Sequence, residues 1–171
     1  MEKLRRLVDR GLAGLLVGVI GLAVLNVLWQ VFTRWVLRDP SSYTEELARY
    51  LLIWIGLLGA AYAAGQKLHL AIDLLPGRLT GRARHLLELA IGGCVFVFAL
   101  AVMVVGGSRL VLLTLRFEQT SAALGVPLGY VYLVLPLSGL LIMFYALADG
   151  LGQWRAWRPR RDEPPAPGAE S

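Results

Sequence analysis

Apolar residues run in four long blocks separated by short polar stretches, and the block length decides the element type. Residues 12–32 hold no charged side chain, and only Asn26 and Gln30 among them are strongly polar. Residues 47–64 carry a single charge, Arg49, near their start, where a long side chain can snorkel to water. The block 89–107 is uninterrupted and resumes over 110–115, and 128–148 is again uncharged. Crossing ~30 Å of hydrocarbon takes about 20 apolar residues at ~1.5 Å rise each. Lipid offers the backbone no hydrogen-bond partner, so each block is expected to be an α-helix. The pattern predicts an all-α membrane protein with four transmembrane helices at about 12–34, 45–65, 86–110 and 127–149. If the third helix continues to Leu115, it must tilt or protrude.

The flanks complete the organisation. Residues 1–11 read as a basic N-terminus, 12–150 as the transmembrane domain, and 151–171 as a basic, Pro-rich tail expected to be disordered. The first block follows a basic stretch, as a secretory signal would. Its apolar run is longer than a signal core and ends in Trp29, Phe32 and Trp35, an interfacial anchor, so it reads as a retained helix. Between helices 2 and 3, Leu68, Leu70, Ile72 and Leu74 alternate with His69, Ala71 and Asp73 ahead of Pro76-Gly77. That alternation suggests a segment lying at the membrane surface.

Composition agrees with the pattern: 57% of residues are hydrophobic and 17% charged, against about 25% charged in soluble domains. The single cysteine, Cys94, excludes a disulfide framework and a Cys-based zinc site. Net charge is +5, but its placement argues for topology and against nucleic acid. Twelve of the 17 Lys and Arg residues precede helix 1, join helices 2 and 3, or follow helix 4. The positive-inside rule then puts both termini and the 2–3 connection in the cytoplasm.

Candidate chemistry is sparse. Helix 2 opens with Ser42, Glu45, Glu46 and Arg49. Ser42 and Glu45 have capping-box spacing, and Arg49 lies on the favourable side of both acids for an intrahelical pair. The group reads first as a capped helix start and, alternatively, as a docking patch. Gly14 and Gly18 on helix 1, with Gly56, Ala60 and Ala64 on helix 2, are small-residue stripes that let helices approach, within the chain or against another subunit. Asn26 and Gln30, one turn apart, read as interhelical hydrogen-bonding glue. His69 and Asp73 read as an interfacial pair, and Glu88 is too shallow for a proton site. Pro136 is expected to kink helix 4, and Pro127 lies at that helix's start. No nucleophile–base pair, phosphate loop or metal cluster is present in the sequence, so neither an enzyme nor a cofactor is expected.

Two stretches carry a resemblance. One is Tyr43-Thr44-Glu45-Glu46-Leu47-Ala48-Arg49-Tyr50-Leu51-Leu52-Ile53-Trp54, followed by Gly59-Ala60-Ala61 and His69-Leu70-Ala71-Ile72-Asp73. The other is Ser121-Ala122-Ala123-Leu124-Gly125-Val126-Pro127, followed by Tyr132 and Leu135-Pro136-Leu137. Together they resemble the small membrane subunit of tripartite ATP-independent periplasmic (TRAP) transporters, the DctQ-like family. Ala71 and the Leu128-Gly129 after Pro127 depart from the family's usual basic and aromatic residues.

The resemblance implies a multi-pass protein of the bacterial inner membrane within a sodium-driven importer of organic acids. Its implied partners are a large membrane subunit, which it braces, and a periplasmic solute-binding protein, which it helps to dock. Under that resemblance Glu45, Glu46 and Arg49 become docking or subunit-contact candidates, Tyr50 and Trp54 boundary residues, and His69 and Asp73 anchors of the cytoplasmic connection. The alternative is an autonomous small oligomeric transporter, which needs an acid inside the bilayer. A haem- or quinone-binding anchor would need deep histidines that the sequence lacks.

Overall fold

The computed structural model describes residues 2–38, 41–66 and 82–157. His69, Asp73, the alternating 68–75 segment, Pro76-Gly77 and the tail beyond 157 lie outside the described residues. Within them the chain is helical: α1 (Glu2–Phe32), α2 (Ser42–Gly65), α3 (Arg82–Phe98), α4 (Gly107–Arg116), α5 (Leu128–Tyr132) and α6 (Val134–Trp157). Four helical stretches are long and apolar enough to cross a membrane.

The helix ends differ from the expected ones for identifiable reasons. The basic segment 1–11 was expected ahead of helix 1, yet α1 begins at Glu2, because Val8 already packs against the core. After Phe32 the helix widens into a π-turn over Thr33–Leu37 and ends at Arg38 in the left-handed region, φ 53°. The third span is continuous from Arg82 to Arg116, with π-helix over Ala99–Gly106 joining α3 to α4. That is roughly 50 Å of helix at 1.5 Å per residue, longer than one bilayer.

The fourth span is broken at Leu133. Pro136 has no N–H to give the Tyr132 carbonyl one turn back, so the expected kink becomes a short α5 followed by α6. Residues 151–157, expected in the disordered tail, continue α6 to Trp157.

In space the first span packs along the second, the second along the fourth, and the fourth along the third. The core forms around Leu12, Leu16, Leu58, Val134 and Tyr145, with Trp54, Leu57 and Phe144 packed against it. Close approach between helices does not use the expected stripes. A Cβ added at Gly14, Gly18 or Gly56 would meet nothing within 4 Å, and Ala60 is exposed. Those stripes face away from the chain's own helices. The tight seams are single glycines opposite large side chains. A Cβ on Gly139 would lie 2.7 Å from Met103 Cβ, and one on Gly107 3.0 Å from Leu135 Cβ.

The two glycine classes therefore predict opposite outcomes. Gly139→Ala forces the third and fourth spans apart, because Met103 Cβ is fixed to its backbone; the cost is about 1–3 kcal/mol. Gly14→Ala and Gly18→Ala leave the isolated chain unchanged or more stable by up to ~1 kcal/mol each. Thermal unfolding of the purified chain in detergent measures all three.

Candidate functional site

The end of the bundle remote from the termini carries most of the singled-out residues. Here α1 turns into α2, and the 117–127 loop joins α4 to α5. The α2 start is not the expected capping box. Ser41, not Ser42, occupies the cap position, and no cap hydrogen bond from its side chain forms. Instead the Thr44 hydroxyl and N–H both return to the Ser41 carbonyl, at 2.8 and 3.3 Å. Thr44 is buried, and its carbonyl accepts from Asn26 Nδ2 at 2.8 Å. Asn26 thus acts as the expected interhelical glue, joining α1 to α2.

Gln30 does not share that bond. It lines a cleft of about 390 Å³ with Arg34, Ser41, Ser42 and Glu45. Near the same turn, Trp29 Nε1 donates to the Tyr43 hydroxyl at 3.2 Å.

The neighbouring acids have separate environments. Glu45 is exposed and pairs loosely with Arg49, 3.5 Å away and equally exposed. Glu46 turns inward. Its Oε2 accepts the N–H groups of Ala123 and Leu124 at 2.8 and 3.2 Å, and its Oε1 accepts the Tyr50 hydroxyl at 2.7 Å. The two family-like stretches meet at this carboxylate.

The loop that Glu46 holds is well ordered by its own bonds. α4 ends with Gln119 N–H on the Thr114 carbonyl and Glu118 N–H on that of Leu115, a Schellman closure. Glu118 takes the left-handed position, φ 48°, that glycine usually fills. Ser121 N–H then bonds the Val126 carbonyl and Leu128 N–H that of Gln119, so Thr120 and Pro127 pair as an antiparallel bridge. Gly125, at φ 65°, supplies the tight reversal between them.

Deeper in the bundle Trp54 Nε1 donates to the Val131 carbonyl at 3.1 Å, beside the break in the fourth span. Tyr50 and Trp54, expected at a subunit or lipid boundary, are tied internally.

The other end is closed by residues the sequence did not single out, Arg5 alone among them having counted toward topology. Arg5 forms an ion pair with Asp149 at 2.9 Å and also donates to the Gly65 carbonyl at the end of α2. Its guanidinium lies 5.9 Å from the centroid of the Tyr145 ring, and the Tyr145 hydroxyl donates to Asp9 at 2.6 Å. Gly65 has no room for a side chain, since an added Cβ would lie 2.6 Å from Tyr145 Cζ. The first, second and fourth spans are clasped at this one point. The available signal was that Asp9 and Asp149 are acids within otherwise basic flanks. Among the described residues no group of His, Cys, Asp and Glu is arranged to hold a metal ion.

The family model of the DctQ component of tripartite ATP-independent periplasmic transporters matches residues 23–156. The sialic acid TRAP transporter small permease protein SiaQ of Vibrio cholerae is 35% identical over 119 residues, 66% of this chain and 69% of that one. The C4-dicarboxylate TRAP transporter small permease protein DctQ of Rhodobacter capsulatus is 31% identical over 112 residues, covering 64% and 48%. The isethionate TRAP transporter permease protein DctMQ of Oleidesulfovibrio alaskensis is 33% identical over 115 residues, which are 67% of this chain but 18% of that longer protein.

The clasp predicts a measurable coupling. Asp149→Asn and Tyr145→Phe each lower stability in detergent by about 1 kcal/mol, and Arg5→Gln by about 1–3 kcal/mol because it loses two partners. A double-mutant cycle of Arg5→Gln with Asp149→Asn gives an interaction energy above ~0.5 kcal/mol.

Proposed function

Because the chain belongs to the DctQ-component family of tripartite ATP-independent periplasmic transporters, we propose that it braces the large membrane subunit of a sodium-driven organic-acid importer. It is a multi-pass membrane protein and a transporter component, not an enzyme. Both termini lie in the cytoplasm under this reading, following the basic flanks, so the 117–127 loop and the α2 start face the periplasm. The transported solute is an organic acid, the class to which sialic acid, C4-dicarboxylates and isethionate in the relatives' names belong.

The observation that carries the bracing role is how little of each span the chain covers itself. Between 11% and 28% of each span's most apolar window is buried, and large side chains such as Leu25, Leu52, Val97 and Leu140 are exposed. A row of helices with such faces fits a larger membrane partner. The spans also lack what an autonomous transporter needs. Residues 12–32, 50–66, 89–108 and 128–148 contain no charged side chain, whereas ion and substrate sites usually sit near the midplane on ionisable groups or broken helices. The break that is present, at Leu133, has its neighbouring Val131 carbonyl occupied by Trp54.

Glu45 and Arg49, with Arg34 across the cleft, help to dock a periplasmic solute-binding protein. Their side chains are 69% and 70% exposed, so they are available to a soluble partner.

Two measurements test this. The tagged chain, extracted in mild detergent, recovers one larger multispanning protein at near-equal amount. Recovery alone, with transport by the reconstituted lone chain, would replace the scaffold by an autonomous transporter. Replacing Glu45 and Arg49 together by Gln lowers uptake several-fold while the membrane complex assembles at its normal ratio. Unchanged uptake returns them to an exposed intrahelical pair, worth ~0.3–0.5 kcal/mol.

A further inference from the structure

We infer that Glu46 is a positioning residue: its carboxylate fixes the 117–127 loop against α2, and the surface so fixed is where the soluble solute-binding protein lands. The inference rests on the periplasmic placement and docking reading above, and it separates Glu46 from its neighbour Glu45.

The loop's internal bonds close its base and, through the Leu124 and Gly125 N–H groups on Ser121, its tip, but none of them ties it to α2. The Gln119–Leu128 and Ser121–Val126 bonds make it a small hairpin standing between α4 and α5. From α2 the Glu46 carboxylate takes two successive amides, Ala123 and Leu124, across 77 and 78 residues of sequence, and the Ser121 hydroxyl bonds the same carboxylate. Two N–H donors converging on one carboxylate oxygen hold both the height and the rotation of the hairpin tip. The second oxygen is held by the Tyr50 hydroxyl, so the carboxylate itself cannot turn freely. Bonds to an ionised acceptor are about twice as strong as neutral ones, which suits a single anchor at a water-exposed site.

The chemistry of the tip points to a soluble protein rather than to lipid or the large subunit. The third span ends at Arg116 and the fourth begins at Leu128, so the loop lies beyond the apolar spans. Ala122, Ala123, Gly125 and Val126 are exposed, and 119–127 contains no charge. Exposed Arg116 and Glu118 precede this uncharged tip in the chain, and exposed Glu45 and Arg49 neighbour Glu46 on α2. An uncharged contact with a charged rim is the anatomy of a transient protein interface. A tip already ordered in the free protein loses little conformational freedom on contact.

The experiment uses the complete complex of the chain with its large subunit. Hydrogen exchange at the Ala123 and Leu124 amides is read beside the affinity for the solute-binding protein and the ratio of the two membrane subunits. Glu46→Ala should raise exchange at least ~10-fold at Ala123 and by a smaller factor at Leu124, whose N–H keeps Ser121 Oγ, weaken docking by about 10-fold, and leave the subunit ratio unchanged. Glu45→Ala should leave the exchange as it was. Glu46→Gln keeps a neutral acceptor and is expected to fold even where Ala does not; it should raise exchange by a smaller factor, about 3-fold.

Unchanged exchange in both Glu46 variants overturns the anchor. Raised exchange with unchanged docking overturns the landing surface. No docking to the unmodified complex overturns the docking reading and the landing surface together, while the exchange result still judges the anchor by itself.

Discussion

A polar group inside hydrocarbon has no water to turn to, and that constraint orders this chain from end to end. Among the described residues, Asn26, Thr33, Thr44, Thr114, Ser121 and Ser138 are the buried polar ones. Thr33, Thr44, Thr114 and Ser138 each donate to a backbone carbonyl three or four residues back, and Ser121 accepts the Leu124 N–H. Asn26 reaches from one helix to another, and it does so where α2 is still in its first turn. Bonds between helices are therefore concentrated at the two ends of the spans, where polar side chains are affordable. Between the ends, contact is by shape, apart from the bond of Trp54 Nε1 to the Val131 carbonyl.

That division explains the shape of the assembly. The Arg5–Asp149 clasp holds three spans at the end carrying the termini, and Glu46 ties α2 to the loop after α4 at the other. Helices fixed at both ends need little burial along their length, which leaves their apolar faces free. A closed four-helix bundle would turn those faces inward; the 1–2–4–3 row turns them out. Helices arranged so present a wide apolar surface of fixed geometry, the property asked of a brace. The proposed bracing role also accounts for the absence of charge at mid-depth, since a brace has no ion to carry.

How much of this was legible depends on whether the signal was local. Span number and approximate position follow from block length, and the break near Leu133 follows from Pro136 because a missing N–H acts one turn back. The small-residue stripes left two neighbours open, because spacing shows that a helix face permits close approach but not which neighbour approaches. Gly14 and Gly18 face outward, whereas Gly139, with no small partner four residues away, sits against Met103. The capping box failed for a related reason: Ser41 also stood one residue earlier, and Thr44 satisfied itself against that residue's carbonyl. Glu118 in a left-handed position carried no glycine to announce the end of α4.

The acid pair shows where sequence reasoning stops. Successive helical residues point about 100° apart, so Glu45 and Glu46 were bound to face different surroundings even though one motif contains both. Periodicity could separate their directions but not say what stood in either. The partner of Glu46 is a pair of backbone amides 77 and 78 residues away, and amides leave no trace in side-chain identity. Only the joint presence of the two family-like stretches hinted at contact between them. Once folded, one acid is spent within the chain and the other remains available to a partner, so a role assigned to the motif as a whole has to be divided between its residues.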